Sequence, residues 1–107
     1  MHLIGIDIGT TGLKAILYDI EGKIIKESYE EYPVLTPHSG WVELDPKKVW
    51  KVFKKNLYKV VNKFPEIDFA MSFSVLGDAV IPLNKHGEVI YPAILSSDVR
   101  SVDYVKK

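Results

Sequence analysis

The chain has 107 residues with 14 basic and 14 acidic side chains, so its formal net charge at pH 7 is zero, and it has no cysteine. This length allows one domain; the lack of cysteine excludes disulfides, thiolate metal sites and thiol catalysis, and the neutral charge argues against nucleic acid as a partner. We therefore expect a small-molecule partner. Residues 1–8 form too short and too interrupted an apolar stretch for a signal peptide or a membrane span, so we expect no membrane partner and favour a cytoplasmic location.

The N-terminal third of the sequence is predicted to form a three-stranded antiparallel meander. At its start, isoleucine alternates with glycine or aspartate, which predicts a strand with one apolar face and one bare face that includes Asp7. Turn residues separate this strand from two further ones. The predicted strands are residues 3–9, 13–19 and 23–32. Pro33 ends the meander because proline cannot donate a hydrogen bond to a strand ladder.

A helix is predicted to begin at Pro46. Asp45 can accept hydrogen bonds from the free N–H groups of the first turn, and proline needs no partner at this position. Apolar residues recur at helical spacing as far as Phe64, and Pro65 is expected to stop the helix. Lysines occupy much of the remaining helix surface. Because acidic residues elsewhere cancel their charge, we interpret them as a solvated face.

The C-terminal part is predicted to contain a strand, a hairpin and a weakly helical tail. The strand is residues 67–74, the hairpin strands are 79–83 and 88–91, and the tail is 96–107. The hairpin turn has Asn84 three residues before a glycine, and the turn after the second strand has Asp19 at the same spacing. We predict that the same turn chemistry is used twice.

The segment Asp7-Ile8-Gly9-Thr10-Thr11-Gly12 is the candidate for chemistry. A tight hairpin of small residues after a strand brings backbone N–H groups and two hydroxyls close to a carboxylate. The N–H and hydroxyl groups suit phosphate oxygens, and the carboxylate suits hydrated Mg²⁺. The same residues could also form only a glycine-containing turn. They match neither the P-loop pattern nor the dinucleotide-binding pattern.

Residues 5–15, with the sequence GIDIGTTGLKA, resemble the first phosphate motif of the actin-like ATPase superfamily, and most closely that of the FGGY carbohydrate kinases. Three further stretches resemble the same family in order and spacing: GWVELDP at 40–46, SFS at 72–74, and YPAIL at 91–95 followed by Asp98 and Arg100. The resemblance covers essentially the whole chain. It implies an α/β, ribonuclease H-like (actin-like ATPase) half-domain, with an antiparallel three-stranded meander, a helix, then a further strand and hairpin in a mixed sheet.

The resemblance also implies ATP-dependent phosphorylation of a hydroxyl on a sugar, ketose, sugar acid or polyol, with ATP and Mg²⁺ as cofactors. Asp7 matches the family aspartate that helps to position hydrated Mg²⁺ and the reacting hydroxyl. The positions that match phosphate-binding residues are Gly9, Thr10, Thr11, Gly12 and Lys14. Lys14 could equally be an exposed strand lysine without a ligand.

Two further aspartates are expected to face the substrate. Asp78 falls where glycerol kinases have a glutamate and xylulose kinases a histidine, and a carboxylate there can accept hydrogen bonds from vicinal hydroxyls; capping of a turn is the alternative. Asp98 and Arg100 match the family's Asp-x-Arg pair, in which we expect Arg100 to form an ion pair. Residues 75–77 and Ser96 depart from the glycerol and xylulose kinase patterns, which leaves the sugar unassigned.

The length of the chain sets a further expectation, because members of this family extend over roughly three domains of ordinary size. We expect residues 1–107 to be the first part of the N-terminal actin-like domain, with no second domain and with the catalytic base beyond Lys107. The chain alone is then expected to be inactive.

Exposed sheet edges could pair two copies as a homodimer. Two other classes stay open: a non-catalytic phosphate- or nucleotide-binding protein and an assembly module.

Overall fold

The computed structural model describes residues 1–66 and 68–105, which divide into two compact units. The first contains Met1–Tyr32 and Lys48–Leu76, and the second contains Pro33–Lys47 and the described residues from Gly77 onward. In chain order the elements are β1 (His2–Ile8), β2 (Gly12–Tyr18), β3 (Ile24–Glu31), β4 (Glu43–Leu44), α1 (Pro46–Val61), β5 (Phe69–Val75), β6 (Ala93–Ile94) and α2 (Val102–Val105).

The first unit is built on a four-stranded mixed sheet with the strand order β3-β2-β1-β5. β1 pairs antiparallel with β2 and β2 pairs antiparallel with β3, which confirms the predicted meander. β5 pairs parallel with β1, from His2 opposite Phe69 to Ile8 opposite Val75. The predicted mixed α/β fold is therefore confirmed. Ile67, at the start of the predicted strand, lies outside the described residues.

The core of the first unit lies on one face of this sheet. The buried side chains come from alternate positions of β1 and β2 and from one stripe of α1: Ile4, Ile6, Leu13, Ala15, Leu17, Val52, Phe53 and Val60. The ring of Phe53 also packs against that of Phe73 in β5, with 5.7 Å between centroids. Because successive strand residues point to opposite faces, Asp7 and Lys14 lie on the face away from this core.

Helix α1 begins at Pro46, as predicted, and the Asp45 carboxylate accepts a hydrogen bond from the Lys47 backbone N–H at 3.0 Å. The helix ends at Val61, about one turn before its predicted end at Pro65. The Phe64 N–H donates to the Val61 carbonyl, which is a tighter turn than an α-helix makes. Pro65 cannot extend the helix and restricts the conformation of Phe64, which limits how far the helix can run but does not fix its end at Val61.

In the second unit, β4 pairs antiparallel with β6, a pairing that the sequence did not predict. The prediction of two regular strands at 79–83 and 88–91 is wrong. Only single bridge pairs form there, Val80 with Ile94 and Leu83 with Val89. Pro82 lies within the first run and supplies no N–H, so a continuous ladder cannot extend along it. In the predicted tail, α2 occupies Val102–Val105.

The prediction that one turn chemistry is used twice is confirmed. The Asp19 carboxylate accepts hydrogen bonds from the backbone N–H groups two and four residues later, both at 2.9 Å. The Asn84 side-chain oxygen accepts from the corresponding N–H groups at 2.9 and 3.0 Å. The glycine that follows in each turn, Gly22 or Gly87, has a positive φ, which glycine adopts without steric cost.

Asn56 is a fully buried polar side chain that joins α1 to β3. Its side-chain oxygen accepts a hydrogen bond from the Ser28 hydroxyl. Its side-chain nitrogen donates to the Glu30 carboxylate at 3.2 Å and to the Val52 carbonyl at 2.8 Å. Lys55 also donates to Glu30 at 2.9 Å, and this contact holds the pKa of Glu30 below its usual value. The helix is thus fixed against the sheet by a satisfied polar network as well as by apolar packing.

Replacing Asn56 by alanine should lower the free energy of unfolding by about 1–3 kcal/mol, because the Ser28 hydroxyl would lose its acceptor inside the protein. The measurement is urea denaturation of the parent chain and of Asn56→Ala. Asn62→Ala is the matched control, since Asn62 is exposed just beyond the helix end. Equal losses in the two variants would contradict this account of α1.

Candidate functional site

A row of four side chains crosses the bare face of the sheet in the first unit. The strand register places Tyr29 beside Lys14, Lys14 beside Asp7, and Asp7 beside Ser74. Each residue comes from a different strand, in the order β3, β2, β1 and β5. Three of them, Lys14, Asp7 and Ser74, help to line an open groove of about 320 Å³. The fold therefore brings Asp7 and Lys14, both predicted from the sequence, to adjacent positions.

Asp7 is the acidic member of this row and lies near its centre. The residue is exposed, and among residues 1–66 and 68–105 its carboxylate makes no hydrogen bond. Its neighbours on either side are a basic side chain and a hydroxyl. An uncommitted carboxylate in this setting can accept hydrogen bonds from water, from a hydroxyl group or from the hydration shell of a cation.

The chain between β1 and β2 makes a tight connection, here called the 9–12 hairpin. The Gly9 N–H donates to the Gly12 carbonyl at 2.9 Å, which closes the turn. The backbone N–H groups of Thr10 and Thr11 have no acceptor within the described part of the chain, and both residues are exposed. At Gly12, a Cβ atom would lie 2.5 Å from the Tyr29 hydroxyl oxygen, so a side chain at this position would require the Tyr29 ring to move.

These groups fit a hydrated magnesium ion together with phosphate. Mg²⁺ keeps several waters and is usually held by only one or two carboxylates plus the phosphates of a nucleotide. Asp7 supplies one exposed carboxylate, and free backbone N–H groups are donors for phosphate oxygens. No cluster of three or more acidic, histidine or cysteine side chains occurs in residues 1–66 and 68–105. The described residues of this sheet therefore do not form a metal site in which protein side chains supply most of the ligands.

Asp78 lies in the second unit and has an unusual backbone conformation. Its φ is +55°, in the left-handed region that non-glycine residues seldom occupy. The residue is exposed, and none of the described residues makes a hydrogen bond to its carboxylate. The capping interaction considered as an alternative is thus not formed by the described residues. Two residues later, Val80 exchanges backbone hydrogen bonds with Ile94 at 2.9 and 2.8 Å, which anchors this segment to β6.

Asp98 belongs to a charged cluster in the second unit. It accepts hydrogen bonds from the Arg100 backbone N–H and side chain and from the Val42 backbone N–H, at 2.7 to 2.9 Å. Arg100 also donates to Glu43 at 2.6 Å, and its guanidinium lies 3.9 Å from the centre of the Trp41 ring. The predicted ion pair of Arg100 is confirmed. A substrate contact by Asp98 stays a prediction. Its carboxylate oxygens already accept hydrogen bonds from Arg100 and Val42, so a substrate would have to compete with these donors.

The pKa values of this cluster follow from its contacts. Hydrogen bonds from Arg100 hold the pKa of Asp98 well below its usual range, and the same contacts raise that of Arg100. Burial alone would raise the pKa of Glu43, but hydrogen bonds from Arg100 and from the Tyr91 hydroxyl outweigh it, so this pKa is also lowered. Both carboxylates are therefore charged at neutral pH, and the cluster holds Val42 and Arg100 in place.

A sequence profile of the N-terminal domain of the FGGY carbohydrate kinases matches residues 2–107. The chain belongs to the FGGY family of carbohydrate kinases. It is 33% identical over 107 residues to the glycerol kinase of Synechocystis sp., which covers 96% of this chain and 22% of that protein. It is 31% identical over 110 residues to the xylulose kinase of Staphylococcus xylosus, which covers 99% of this chain and 23% of that protein. The chain thus spans less than a quarter of the length of these relatives.

A solved structure of the FGGY family has the same fold. The gluconate kinase from Lactobacillus acidophilus superposes with a TM-score of 0.92 and 28% identity, over 98% of this chain and 21% of that one. The predicted actin-like fold is confirmed by this match. In the part of the FGGY chain that the structure describes, no helix is long and apolar enough to cross a membrane.

Sequence reasoning did not single out several residues that this FGGY chain places at or near the candidate sites: Tyr29, Tyr32, Glu43, Ser74 and Tyr91. Ser74 and Glu43 each belong to a stretch that resembles the family, but the sequence does not show their partners. Ser74 lies beside Asp7 through the register between β1 and β5, and Arg100, the partner of Glu43, is 57 positions later. Pairings at this separation depend on the tertiary fold.

The charged cluster predicts how the stability of this FGGY segment depends on pH. Asp98 and Glu43 have lowered pKa values in the folded state, so the unfolded chain binds protons first as the pH falls. Their contribution should be complete above about pH 5 and should be lost progressively below about pH 4. We expect the melting temperature to fall over that range. Asp98→Asn should show a weaker pH dependence, whereas Asp103→Asn, at an exposed position, should follow the parent. An equal slope for all three proteins would contradict this role for the cluster.

Proposed function

We propose that this chain supplies the first phosphate-binding segment, and part of the acceptor pocket, of a kinase that transfers a phosphoryl group from ATP to a hydroxyl of a sugar, ketose, sugar acid or polyol. The observation that carries the proposal is the position of Asp7. This exposed carboxylate lies in register with Lys14 and two residues before the 9–12 hairpin, in which two backbone N–H groups have no described acceptor. Family membership and the names of the relatives support the same chemistry.

Each part of this site has a separate task in the proposed reaction. The N–H groups of Thr10 and Thr11 donate to phosphate oxygens, and the Lys14 ammonium compensates negative charge on the nucleotide. Such preorganised donors stabilise the charge that spreads over the transferring phosphoryl group. Asp7 orients the acceptor hydroxyl and the hydration shell of the metal. If Mg²⁺ binds, the Asp7 carboxylate would hold its hydration shell, and the ion would supply positive charge that offsets the charge of the phosphates.

The transfer itself breaks the bond between the terminal phosphorus and the ADP oxygen and forms a bond to the acceptor oxygen. The acceptor hydroxyl loses its proton to a base. We propose that residues beyond Lys107 supply this base and the adenosine site. The chain of residues 1–107 would then be inactive on its own. A free carboxylate at Asp78, whose backbone is held in a left-handed conformation, is proposed to accept hydrogen bonds from hydroxyls of the acceptor.

The experiment that tests the proposal is a kinase assay on the protein encoded by the complete reading frame. It measures ADP release and sugar phosphate formation with MgATP and a panel of polyols, ketoses and sugar acids. Asp7→Asn should lower kcat by roughly 100-fold or more, because the variant keeps the size of the side chain and loses its charge. Asp68→Asn, at an exposed position of the same unit, is the control and should keep the parent rate.

Two results would refute this assignment. An absence of phosphorylation of every acceptor in the panel by the parent protein would refute the kinase activity. Turnover of Asp7→Asn within twofold of the parent rate would refute the role of Asp7 while leaving the activity in place. In either case the phosphate-binding and assembly alternatives would have to be tested by direct binding of MgATP to the protein.

Asp78→Asn should change which acceptors are used. Asparagine tolerates the left-handed backbone of this position and keeps the shape of the side chain, so the change removes mainly the charge. We expect KM for the preferred acceptor to rise about 10-fold or more, with KM for ATP unchanged, because a hydrogen bond to a charged group contributes more than one to a neutral group. Asp103→Asn serves as the control. Unchanged ratios of kcat/KM across the acceptor panel would remove Asp78 from the acceptor pocket.

A further inference from the structure

Tyr32 contacts the 9–12 hairpin through both its side-chain hydroxyl and its backbone N–H. Its hydroxyl lies within hydrogen-bond distance of the Gly9 carbonyl and of the Gly12 carbonyl, the latter at 3.1 Å. Its backbone N–H donates to the Thr11 carbonyl at 3.1 Å. One residue, placed directly after β3, therefore engages three of the four carbonyl groups of the hairpin.

The backbone of the hairpin is consequently divided by chemical type. Its carbonyl groups at Gly9, Thr11 and Gly12 are satisfied inside the protein, whereas the N–H groups of Thr10 and Thr11 have no acceptor among residues 1–66 and 68–105. Carbonyl oxygens near the site would repel a phosphate, and free N–H groups attract it. An anion-binding loop needs this division, and here the hydroxyl and the backbone N–H of Tyr32, a residue outside the loop, both contribute to it.

The surroundings of Tyr32 keep its hydroxyl protonated, so that it can donate a hydrogen bond to the hairpin. The side chain is 5% exposed, so its hydroxyl has little competition from water. Burial raises the pKa of Tyr32, with smaller contributions from Tyr29 and Asp7. The hydroxyl thus keeps its single proton at neutral pH, and that proton can be donated to either of the two carbonyl groups within reach.

We infer that Tyr32 is a positioning residue for the phosphate-binding hairpin: by holding the carbonyl groups of Gly9, Thr11 and Gly12, it keeps the Thr10 and Thr11 N–H groups available to phosphate oxygens. The identity of the ligand rests on the proposed function, but the hydrogen-bonded geometry does not. The variant that tests the inference is Tyr32→Phe, which keeps the buried ring and removes only the hydroxyl.

The first measurement uses the 107-residue chain and does not depend on catalysis. Amide hydrogen exchange by NMR should show faster exchange of the Gly9 N–H in Tyr32→Phe, by roughly fivefold, because the turn that this group closes loses its anchor. Tyr58→Phe is the matched control, since Tyr58 is 67% exposed on α1. Unchanged protection of Gly9 in Tyr32→Phe would overturn the inference.

The second measurement uses the kinase encoded by the complete reading frame. Tyr32→Phe should raise KM for ATP and lower kcat, together reducing kcat/KM for ATP by roughly 10-fold or more, while KM for the acceptor stays within twofold of the parent value. A residue that only stabilised the fold would lower the melting temperature without this separation of the two KM values.

The two measurements distinguish the two ways of failing. If the parent protein phosphorylates no acceptor, the proposed function fails, and the exchange experiment alone decides whether Tyr32 holds the hairpin. If the parent is active and Tyr32→Phe has parental kinetics for ATP, the positioning role fails while the kinase assignment stands.

Discussion

Strand β1 is hydrogen-bonded on both sides, and its register decides which side chains share the exposed face of the sheet. It runs antiparallel to β2 and parallel to β5. A shift of either pairing by one residue would bring Asp7 beside an apolar side chain and would turn Ile6 out of the core. The buried isoleucines therefore fix the candidate site indirectly, because the cost of exposing them holds the register on which the site depends.

The meander could be predicted from the sequence because its information is local. Alternation in β1, turn residues at Asp19 and Gly22, and a proline after β3 define three strands without reference to distant parts of the chain. The helix start at Pro46 is equally local. The helix ends earlier than the sequence predicts, because the apolar repeat continues to Phe64 whereas the chain already makes a tighter turn after Val61.

The rest of the site could not be predicted, for a physical reason that Tyr32 illustrates. A tyrosine after a strand has no distinctive local pattern, and its role arises only because the meander brings the end of β3 back to the hairpin between β1 and β2. The same holds for Ser74, which reaches Asp7 through a parallel pairing between strands more than sixty residues apart in sequence. In the second unit, Pro82 prevented the regular hairpin that the turn at Asn84 suggested.

The exposed carboxylates of Asp7 and Asp78 and the hydrogen-bonded carboxylate of Asp98 are in opposite states, and this contrast bears on which of them can act on a ligand. Asp98 accepts four hydrogen bonds, so the lone-pair positions of its carboxylate are fully used. A substrate hydroxyl would have to displace Arg100 or the Val42 N–H, and the vacated partner would then lose its own bond. Asp7 and Asp78 are exposed and have no such partners among the described residues. A carboxylate that must bind and release a substrate in each turnover gains from being free, so the proposed chemistry is assigned to Asp7 and Asp78, whereas the hydrogen bonds of Asp98 hold Arg100 and the Val42 backbone in place.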